Sequence, residues 1–426
     1  MGAAAAVAAR RCDTSGLTAL SHRLMKQLSA TNRASNVVVS PLCIHSALSL
    51  LAYGARGSTL SEILGVVGAS CRECLARDAR AMALRVLPAA RGMAQPQLTH
   101  AFGLWHDATR TLKPACRDAA WGCLDTEIGA LDFLNRPEEA WWHINSRMKV
   151  SIKACTLPGS FMTRGSVSEG TRLVHTSLIH FGGDWRTPFS SSMNEVSNAA
   201  VDAEFMRSSQ DQYVAEHDGF KVLRMPYTVP DPYHGILSSV RAQIVHTEAE
   251  SWDVTPLPYP QFSLCIFLPD ARDGLWSLED KVLSEMGSIH EHLLLPRNRV
   301  RVGRFQVPKL KMCMSDGTSI KPVLQGLGIR ALFSEEADMT NMLEHGGTGE
   351  PFFVNDVVHK AIFRVDEGDQ SSEVTTTDSA ARGGCLRLER QPVDFVADHP
   401  FAFFVVEEVT GAILLAGHVL DPTQVI

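Results

Sequence analysis

The sequence predicts an α+β fold, with helices dominating the first part of the chain and strands the second. Apolar residues recur at helical spacing as far as about residue 150, and from about residue 172 the apolar period changes towards two. Helices and strands that follow one another in blocks, rather than alternating, are typical of α+β folds. No Gly/Ser-rich or Pro-rich linker and no internal repeat divides the chain, so one domain is expected over residues 15–424.

The first helices are predicted from apolar spacing and from residues that favour helix ends. Ser40 followed by Pro41 predicts a helix start, because the serine side chain can accept a backbone N–H and proline fits the first turn. This helix is apolar on most sides as far as Gly54, so it is expected to be central and buried. The other predicted helices cover residues 15–30 (with Leu17, Leu20, Leu24 and Leu28 on one face), 59–67 (capped near Ser58 or Thr59) and 138–150.

The second part of the chain contains strand-like runs and two long loops. The strands are predicted over residues 173–181, 199–206, 221–227, 262–268, 300–312, 352–365, 401–406 and 412–416. Residues 228–260 carry five prolines and are predicted to form a surface insertion. Residues 366–394 are polar and rich in Ser, Thr, Gly and Asp. Polar segments of this size inside a compact domain are uncommon and usually functional.

Composition excludes several classes of protein. The chain has 426 residues, 45% of them apolar, so there is ample surface to bury and disorder is excluded as the main state. The net charge of −7 argues against a nucleic-acid partner, which would favour a basic face. No apolar run approaches the roughly 20 residues of a membrane helix. Without a secretory-type start or an N-glycosylation sequon, the cytoplasm or the nucleus is expected, rather than an extracellular location.

Neither the cysteines nor the familiar motifs predict an enzyme. The ten cysteines are interpreted as free thiols. Cys71 and Cys74 form a CxxC, so a thiol or metal protein is a distant alternative, but no second CxxC or His pair follows at metal spacing. The sequence has no P-loop, HExxH, GxSxG or strand-linked GxGxxG motif. We therefore expect no catalytic residue, no metal and no cofactor.

A series of short segments resembles the serpins, the serine protease inhibitor superfamily, and in particular their plant members. The resemblance runs from about residue 17 to Pro422, and it depends on the number, order and spacing of the segments. The segments are Asn36–Leu42, Gly54–Thr59, His180–Trp185 with Phe189, Phe262–Trp276, Val358–Ala361, Asp394–Phe401 and Gly411–Gly417.

The resemblance implies one domain of about eight or nine helices and three β-sheets, with residues 366–394 as an exposed reactive-centre loop. Inhibitory serpins are suicide substrates: a protease attacks the loop and forms an acyl-enzyme. The first half of the loop then inserts as a new strand into the central sheet, and the protease is distorted before it can deacylate. The partner implied is a protease, and a monomer is expected.

The segment that would insert is unusual in this chain. Alternate side chains of an inserting strand enter the core, so they must be small and uncharged. The inhibitory hinge of the family is a Glu-x-Gly-Thr/Ser step followed by a run of alanines. Here residues 366–375 are Asp-Glu-Gly-Asp-Gln-Ser-Ser-Glu-Val-Thr, with no alanine run and with one residue missing between Glu367 and Gly368.

Two registers of insertion are open. With Gly368 as the hinge glycine, the inward residues are Asp369, Ser371, Glu373 and Thr375. With Glu367 setting the register, they are Gln370, Ser372, Val374, Thr376 and Asp378. Burying an unpaired carboxylate costs several kcal/mol or forces it to take up a proton. The sequence therefore predicts a serpin that does not inhibit proteases, or inhibits them poorly.

A working inhibitor is the alternative hypothesis. With Gly368 as hinge glycine, the family spacing puts the reactive bond between Arg382 and Gly383, which suits a trypsin-like or other Arg-directed serine or cysteine protease. In the other register Gly383 itself precedes the bond, and Arg387 is a further candidate.

Three residues resemble the part of the family's central sheet that opens for insertion, namely Ser177, Trp185 and His359. Ser177 stands where the family strand usually has an Asn that bonds to a His, here His359. Because serine is shorter than asparagine, we expect Ser177 to reach His359 through a water molecule.

Overall fold

Helices occupy much of the first part of the chain, as the sequence predicts. The computed structural model describes residues 14–87, 97–124, 126–151, 159–189, 203–229, 260–283, 292–293, 298–313, 319–344, 350–368 and 391–424. Within these ranges the α-helices are α1 (Ser15–Thr31), α2 (Pro41–Gly54), α3 (Gly57–Val67), α4 (Arg72–Val86), α5 (Pro114–Leu124), α6 (Pro137–Ser151), α7 (Leu275–Val282) and α8 (Lys321–Gly326). None of the described helices is both long and apolar enough to cross a membrane.

Most strands follow the helices, and fourteen are present in the described ranges. They are β1 (Val37–Val39), β2 (Gln97–Asp107), β3 (Glu127–Leu131), β4 (Leu173–Gly182), β5 (Phe205–Arg207), β6 (Tyr213–His217), β7 (Phe220–Pro226), β8 (Phe262–Pro269), β9 (Val302–Pro308), β10 (Leu310–Cys313), β11 (Asp356–Val365), β12 (Val393–Val396), β13 (Phe401–Glu407) and β14 (Ile413–Val419).

The described strands form three sheets, which have the orders β1-β14-β13-β8-β7-β6, β10-β11-β4-β2-β3 and β12-β9-β5. In the five-stranded sheet, β11 is parallel to β4, and the register runs from Asp356 opposite Val174 to Phe363 opposite Phe181. Two strands far apart in sequence are therefore paired directly. We call this β4–β11 contact the opening seam.

Helix α2 is the central buried helix, as its sequence predicts. The Ser40 side chain caps it by accepting a hydrogen bond from the Cys43 backbone N–H at 3.2 Å, and Pro41 begins the first turn. Every residue of α2 except Tyr53 is buried. The four leucines that predict α1 are also buried, at 0–4% exposure. These two helices join the six-stranded sheet in one apolar cluster.

Several details of the predicted secondary structure are wrong or incomplete, including the start of the strand predicted over 352–365, which begins at Asp356. Helix α3 starts at Gly57, and the Thr59 hydroxyl accepts a hydrogen bond from the Asp338 N–H at 3.0 Å instead of capping the helix. The run 300–312 is two strands, β9 and β10, in different sheets, because the chain leaves the first sheet at Pro308. Strand β2 was not predicted, since polar and small residues interrupt its apolar pattern.

Candidate functional site

The middle of the opening seam is held by two buried side chains that the sequence singled out. Ser177 and His359 lie opposite each other in the parallel register. The Ser177 hydroxyl lies 2.9 Å from His359 Nδ1, and the Ser40 backbone N–H donates to His359 Nε2 at 3.0 Å. Because Nε2 accepts, the neutral ring carries its proton on Nδ1 and donates it to Ser177. The expectation of a bridging water is therefore wrong, since the paired strands bring Ser177 close enough for a direct bond.

A second buried imidazole lies beside this pair and was missed by sequence reasoning. His175 is two residues before Ser177 and therefore on the same face of β4. Its side chain is fully buried, and neither ring nitrogen has a hydrogen-bond partner among the described residues. A signal was available in the i,i+2 spacing of His175 and Ser177 on a predicted strand, but the chain has sixteen scattered histidines and this one did not stand out.

Both imidazoles at the seam are uncharged at neutral pH. Burial lowers the pKa of His175 to about 3. Burial, together with the neighbouring His175 ring, lowers the pKa of His359 to about 3. A charged ring would lose its hydration in this place without gaining an opposite charge. The two imidazoles therefore make the centre of the seam polar without adding charge to it.

Trp185 lies at the end of the seam where the chain leaves β11 after Val365. Its ring stacks on Tyr227 with ring centroids 4.4 Å apart, and both residues are buried. Its indole N–H donates to the Asp366 carbonyl at 2.6 Å. Trp185 therefore fixes the first residue after β11, the point from which the 366–394 segment starts.

Lys309 holds the next residue, and sequence reasoning had not predicted it. Its ammonium lies 2.7 Å from a carboxylate oxygen of Glu367 and 2.7 Å from one of Glu204. Burial alone would lower the pKa of Lys309, but the bonds to Glu204 and Glu367 outweigh burial and raise it. Lys309 lies in the short break between β9 and β10, so only the folded sheet brings it to Glu367.

Gly368 completes a tight turn at the start of the hinge. Its φ of +81° is in the left-handed region that favours glycine, and its N–H donates to the Asp366 carboxylate at 3.0 Å. A Cβ at this position would collide with the Asp184 side chain. The other hinge residues, Asp369, Gln370, Ser371, Ser372 and Glu373, and the predicted bond between Arg382 and Gly383, lie outside the described residues.

The CxxC cysteines are neither free thiols nor metal ligands in the structure. Cys71 and Cys74 form a disulfide, with Cα atoms 5.2 Å apart. The first turn of α4 brings them within disulfide reach, so the prediction of free thiols is wrong for this pair. No group of metal-binding side chains occurs within the described ranges. The other cysteines of the described ranges are all buried, namely Cys43, Cys116, Cys265 and Cys313.

The family model "Serpin (serine protease inhibitor)" matches residues 15–236 and 236–422, which is nearly the whole chain. The chain is a serpin. The implied fold of about eight or nine helices and three sheets is confirmed, with eight α-helices and three sheets in the described part of the chain.

Plant serpins are prominent among its relatives. Serpin-Z6C of Oryza sativa subsp. japonica is 45% identical, over 98% of this chain and 99% of the relative. Serpin-ZX of Arabidopsis thaliana is 31% identical, over 93% of this chain and 94% of the relative. The solved structure of Arabidopsis AtSerpin1 in its native stressed conformation superposes with a TM-score of 0.81 at 30% identity, covering 96% of this chain and 98% of that one. Serpins in general act on target proteases through the reactive-centre loop, and the opening seam belongs to the central sheet of this fold.

Proposed function

We propose that this serpin is not an enzyme, and that it presents residues 366–394 to a trypsin-like or other Arg-directed protease as a substrate, with little or no inhibition. The observation that carries the proposal is the charge of the hinge. In the register set by Gly368, Asp369 and Glu373 stand where an inserting strand needs small, uncharged side chains.

The surroundings of the seam support this proposal. An inserted strand would lie between β4 and β11, and its inward side chains would face the surface that carries His175, Ser177 and His359. Because both imidazoles are neutral, neither supplies a positive charge to a buried carboxylate. Each unpaired carboxylate would then cost several kcal/mol or have to bind a proton.

The second register lowers the free-energy cost of burying the inward side chains, but insertion remains unfavourable. With Glu367 setting the register, the inward residues include Gln370 and Asp378, together with smaller side chains. One carboxylate and one amide then need partners inside the sheet. Inhibition is a race between insertion and deacylation, so a penalty on insertion in either register favours release of a cleaved serpin.

The start of the hinge adds a further barrier to insertion. The Glu367 carboxylate is only 14% exposed and pairs with Lys309, while the Trp185 indole holds the Asp366 carbonyl. Insertion that begins at Gly368 requires this turn to unfold or rotate. Breaking a partly buried, hydrogen-bonded ion pair costs more than breaking one on the surface.

Functional inhibition of an Arg-directed protease remains a second candidate, and the opening seam favours it. Ser177, Trp185 and His359 make the contacts described above, so the receiving part of the sheet is complete. In this candidate the reactive bond joins Arg382 to Gly383. The two candidates share the protease and differ only in whether the loop inserts before deacylation.

A denaturing gel separates the two candidates. The full chain is incubated with trypsin at several molar ratios, boiled and run beside an Arg382→Gln variant. The proposal predicts a cleaved serpin and no covalent complex, with cleavage at residue 382 lost in the variant. A complex that survives boiling would establish the inhibitory candidate instead. An Arg387→Gln variant serves as the matched control, because it removes the neighbouring candidate bond.

A further inference from the structure

The Cys71–Cys74 disulfide has no part in the proposed protease-facing function. Both residues are partly exposed, whereas the other cysteines of the described ranges are buried. Burial raises the pKa of Cys43 and Cys265 to about 12. Thiols that stay protonated are poor nucleophiles. Within the described residues, accessible sulfur chemistry is therefore concentrated at Cys71 and Cys74.

The first turn of α4 can stabilise the reduced form of Cys71 and Cys74 as well as their disulfide. Cys71 is the N-cap residue, and its sulfur accepts the Cys74 backbone N–H at 3.0 Å. The Ser70 hydroxyl lies 3.5 Å from the Cys74 sulfur and donates to it. Backbone donors at a helix N-terminus stabilise a thiolate, and CxxC pairs in such places have lowered thiol pKa values. Cys71 is therefore the better leaving thiolate.

Arg72, which lies between the two cysteines, joins this turn to the central helix. Its Nε donates to the Ala52 carbonyl at 3.0 Å, and its Nη2 donates to the Ala55 carbonyl. Ala52 lies in the last turn of α2 and Ala55 is its C-cap, so Arg72 supplies donors to backbone carbonyls at the end of this helix. The disulfide therefore closes a ring around the residue that ties α4 to α2.

We propose that Cys71 and Cys74 are a redox site, opened by thiol–disulfide exchange with a dithiol reductant, and that Arg72 transmits the redox state to the α2–α4 contact. A reductant thiolate attacks the Cys74 sulfur, forming a mixed disulfide and breaking the Cys71–Cys74 bond. Cys71 leaves as a thiolate beside the Cys74 N–H. The second reductant thiol, once deprotonated, attacks the reductant's own sulfur and releases Cys74. Two electrons and two protons pass to the protein, and the reductant becomes a disulfide.

Alkylation followed by peptide mapping tests the exchange. The native chain is first equilibrated with oxidised glutathione, then treated with or without dithiothreitol, and labelled with N-ethylmaleimide. We expect Cys71 and Cys74 to be protected before dithiothreitol and labelled after it, with Cys43 and Cys265 unlabelled in both samples. Labelling of the pair in the oxidised sample, or protection that persists after dithiothreitol, would overturn the proposal.

Thermal melting tests the role of Arg72. The oxidised form is expected to melt about 2 °C above the reduced form, a small shift because a short loop constrains the unfolded chain only modestly. In Arg72→Met this difference should fall by at least about half. Arg77→Met is the matched control on the same helix, where the exposed Arg77 side chain contacts Asp78, and it should keep the full difference. An undiminished difference in Arg72→Met refutes the coupling.

A variant without Cys71 and Cys74 tests the redox site even if Arg72→Met does not fold. The double variant Cys71→Ser/Cys74→Ser retains hydroxyls that can cap α4. Its melting temperature should be the same with and without dithiothreitol. A redox difference that persists in this variant would place the sensitive cysteines elsewhere and would contradict the proposal.

Discussion

The opening seam and the hinge that would enter it differ in chemistry, although both serve the same movement. The imidazoles at the centre of the seam are neutral, and Ser177 and His359 are paired there. The Trp185 indole holds the Asp366 carbonyl at the end where β11 leaves the sheet. The predicted hinge carries carboxylates at inward positions in both registers, Asp369 and Glu373 in the one set by Gly368 and Asp378 in the one set by Glu367. On the proposed function, the difference teaches that the contacts of the β4–β11 seam can be kept in a chain whose hinge sequence is unsuited to burial.

The free energy of insertion depends on both regions. Opening the seam breaks the Ser177–His359 bond and the parallel pairing, and a new strand restores the backbone bonds. Burying hinge carboxylates among neutral imidazoles has no such compensation. The predictions below test the seam and the start of the hinge, in order of decreasing effect on stability.

His359→Ala should have the largest effect on stability. The variant leaves a cavity in a fully buried site and removes the partner of both the Ser40 N–H and the Ser177 hydroxyl. We expect the free energy of unfolding to fall by about 4 kcal/mol. Urea unfolding measures it, with the less buried His143→Ala as a control that should cost under about 1 kcal/mol. Equal losses in the two variants would show that His359 does not hold the seam.

Lys309→Met should weaken the start of the hinge. It removes the bonds to Glu204 and Glu367, and leaves a Glu367 carboxylate that is largely shielded from water. Since the lysine side chain is 26% exposed, solvent screening limits the expected loss to about 2 kcal/mol. Lys311→Met is the matched control on the adjacent strand, with an exposed residue, and should leave the midpoint of unfolding unchanged. The account fails here if both variants behave alike.

His175→Leu should stabilise the protein and flatten its pH dependence. The wild-type ring is buried without a hydrogen-bond partner among the described residues, so leucine should add about 1–2 kcal/mol. The pKa of His175 is about 3 when folded, against an ordinary value of 6.5, so the unfolded chain binds more protons between these values. Because the folded state keeps this ring neutral, the free energy of unfolding falls as pH drops below about 6.5, by roughly 1 kcal/mol per pH unit.

Urea unfolding at pH 7, 6 and 5 checks this prediction. The slope of stability against pH should be smaller in His175→Leu by the contribution of one proton. His399→Leu provides a control, because that ring is bonded to the Pro269 carbonyl and to Asp398. A lower stability of His175→Leu at pH 7 would indicate a partner for His175 that this account lacks.

Ser177→Ala should have the smallest effect. It removes one buried hydrogen bond while His359 keeps its bond to the Ser40 N–H, so about 1 kcal/mol of stability should be lost. Ser177→Asn restores the residue type usual in the family and should recover part of the loss. A cost as large as that of His359→Ala would mean that Ser177 is the main support of the seam.

Sequence reasoning reached the fold and one part of the site. Ser40 with Pro41 predicted the start of α2, and the family resemblance placed Ser177 opposite His359. Such features depend on local capping chemistry or on short segments that resemble the family. Lys309 and His175 were missed because their roles arise only when distant strands meet. The Cys71–Cys74 bond was missed because an identical CxxC also suits free thiols or metal ligands.

The central claim is that the β4–β11 seam can accept an inserted strand and that the hinge sequence is unsuited to insertion. One comparison tests this claim most directly. A variant with Asp369→Thr, Gln370→Ala, Glu373→Ala and Asp378→Ala replaces the charged and large polar inward side chains of both registers. Wild type and variant are each mixed with excess trypsin, and the fraction that forms a complex stable to boiling is measured. We predict almost none for wild type and at least about tenfold more for the variant, as expected when a penalty of a carboxylate's size is removed. An equal fraction in the two proteins, whether low or high, would contradict the claim.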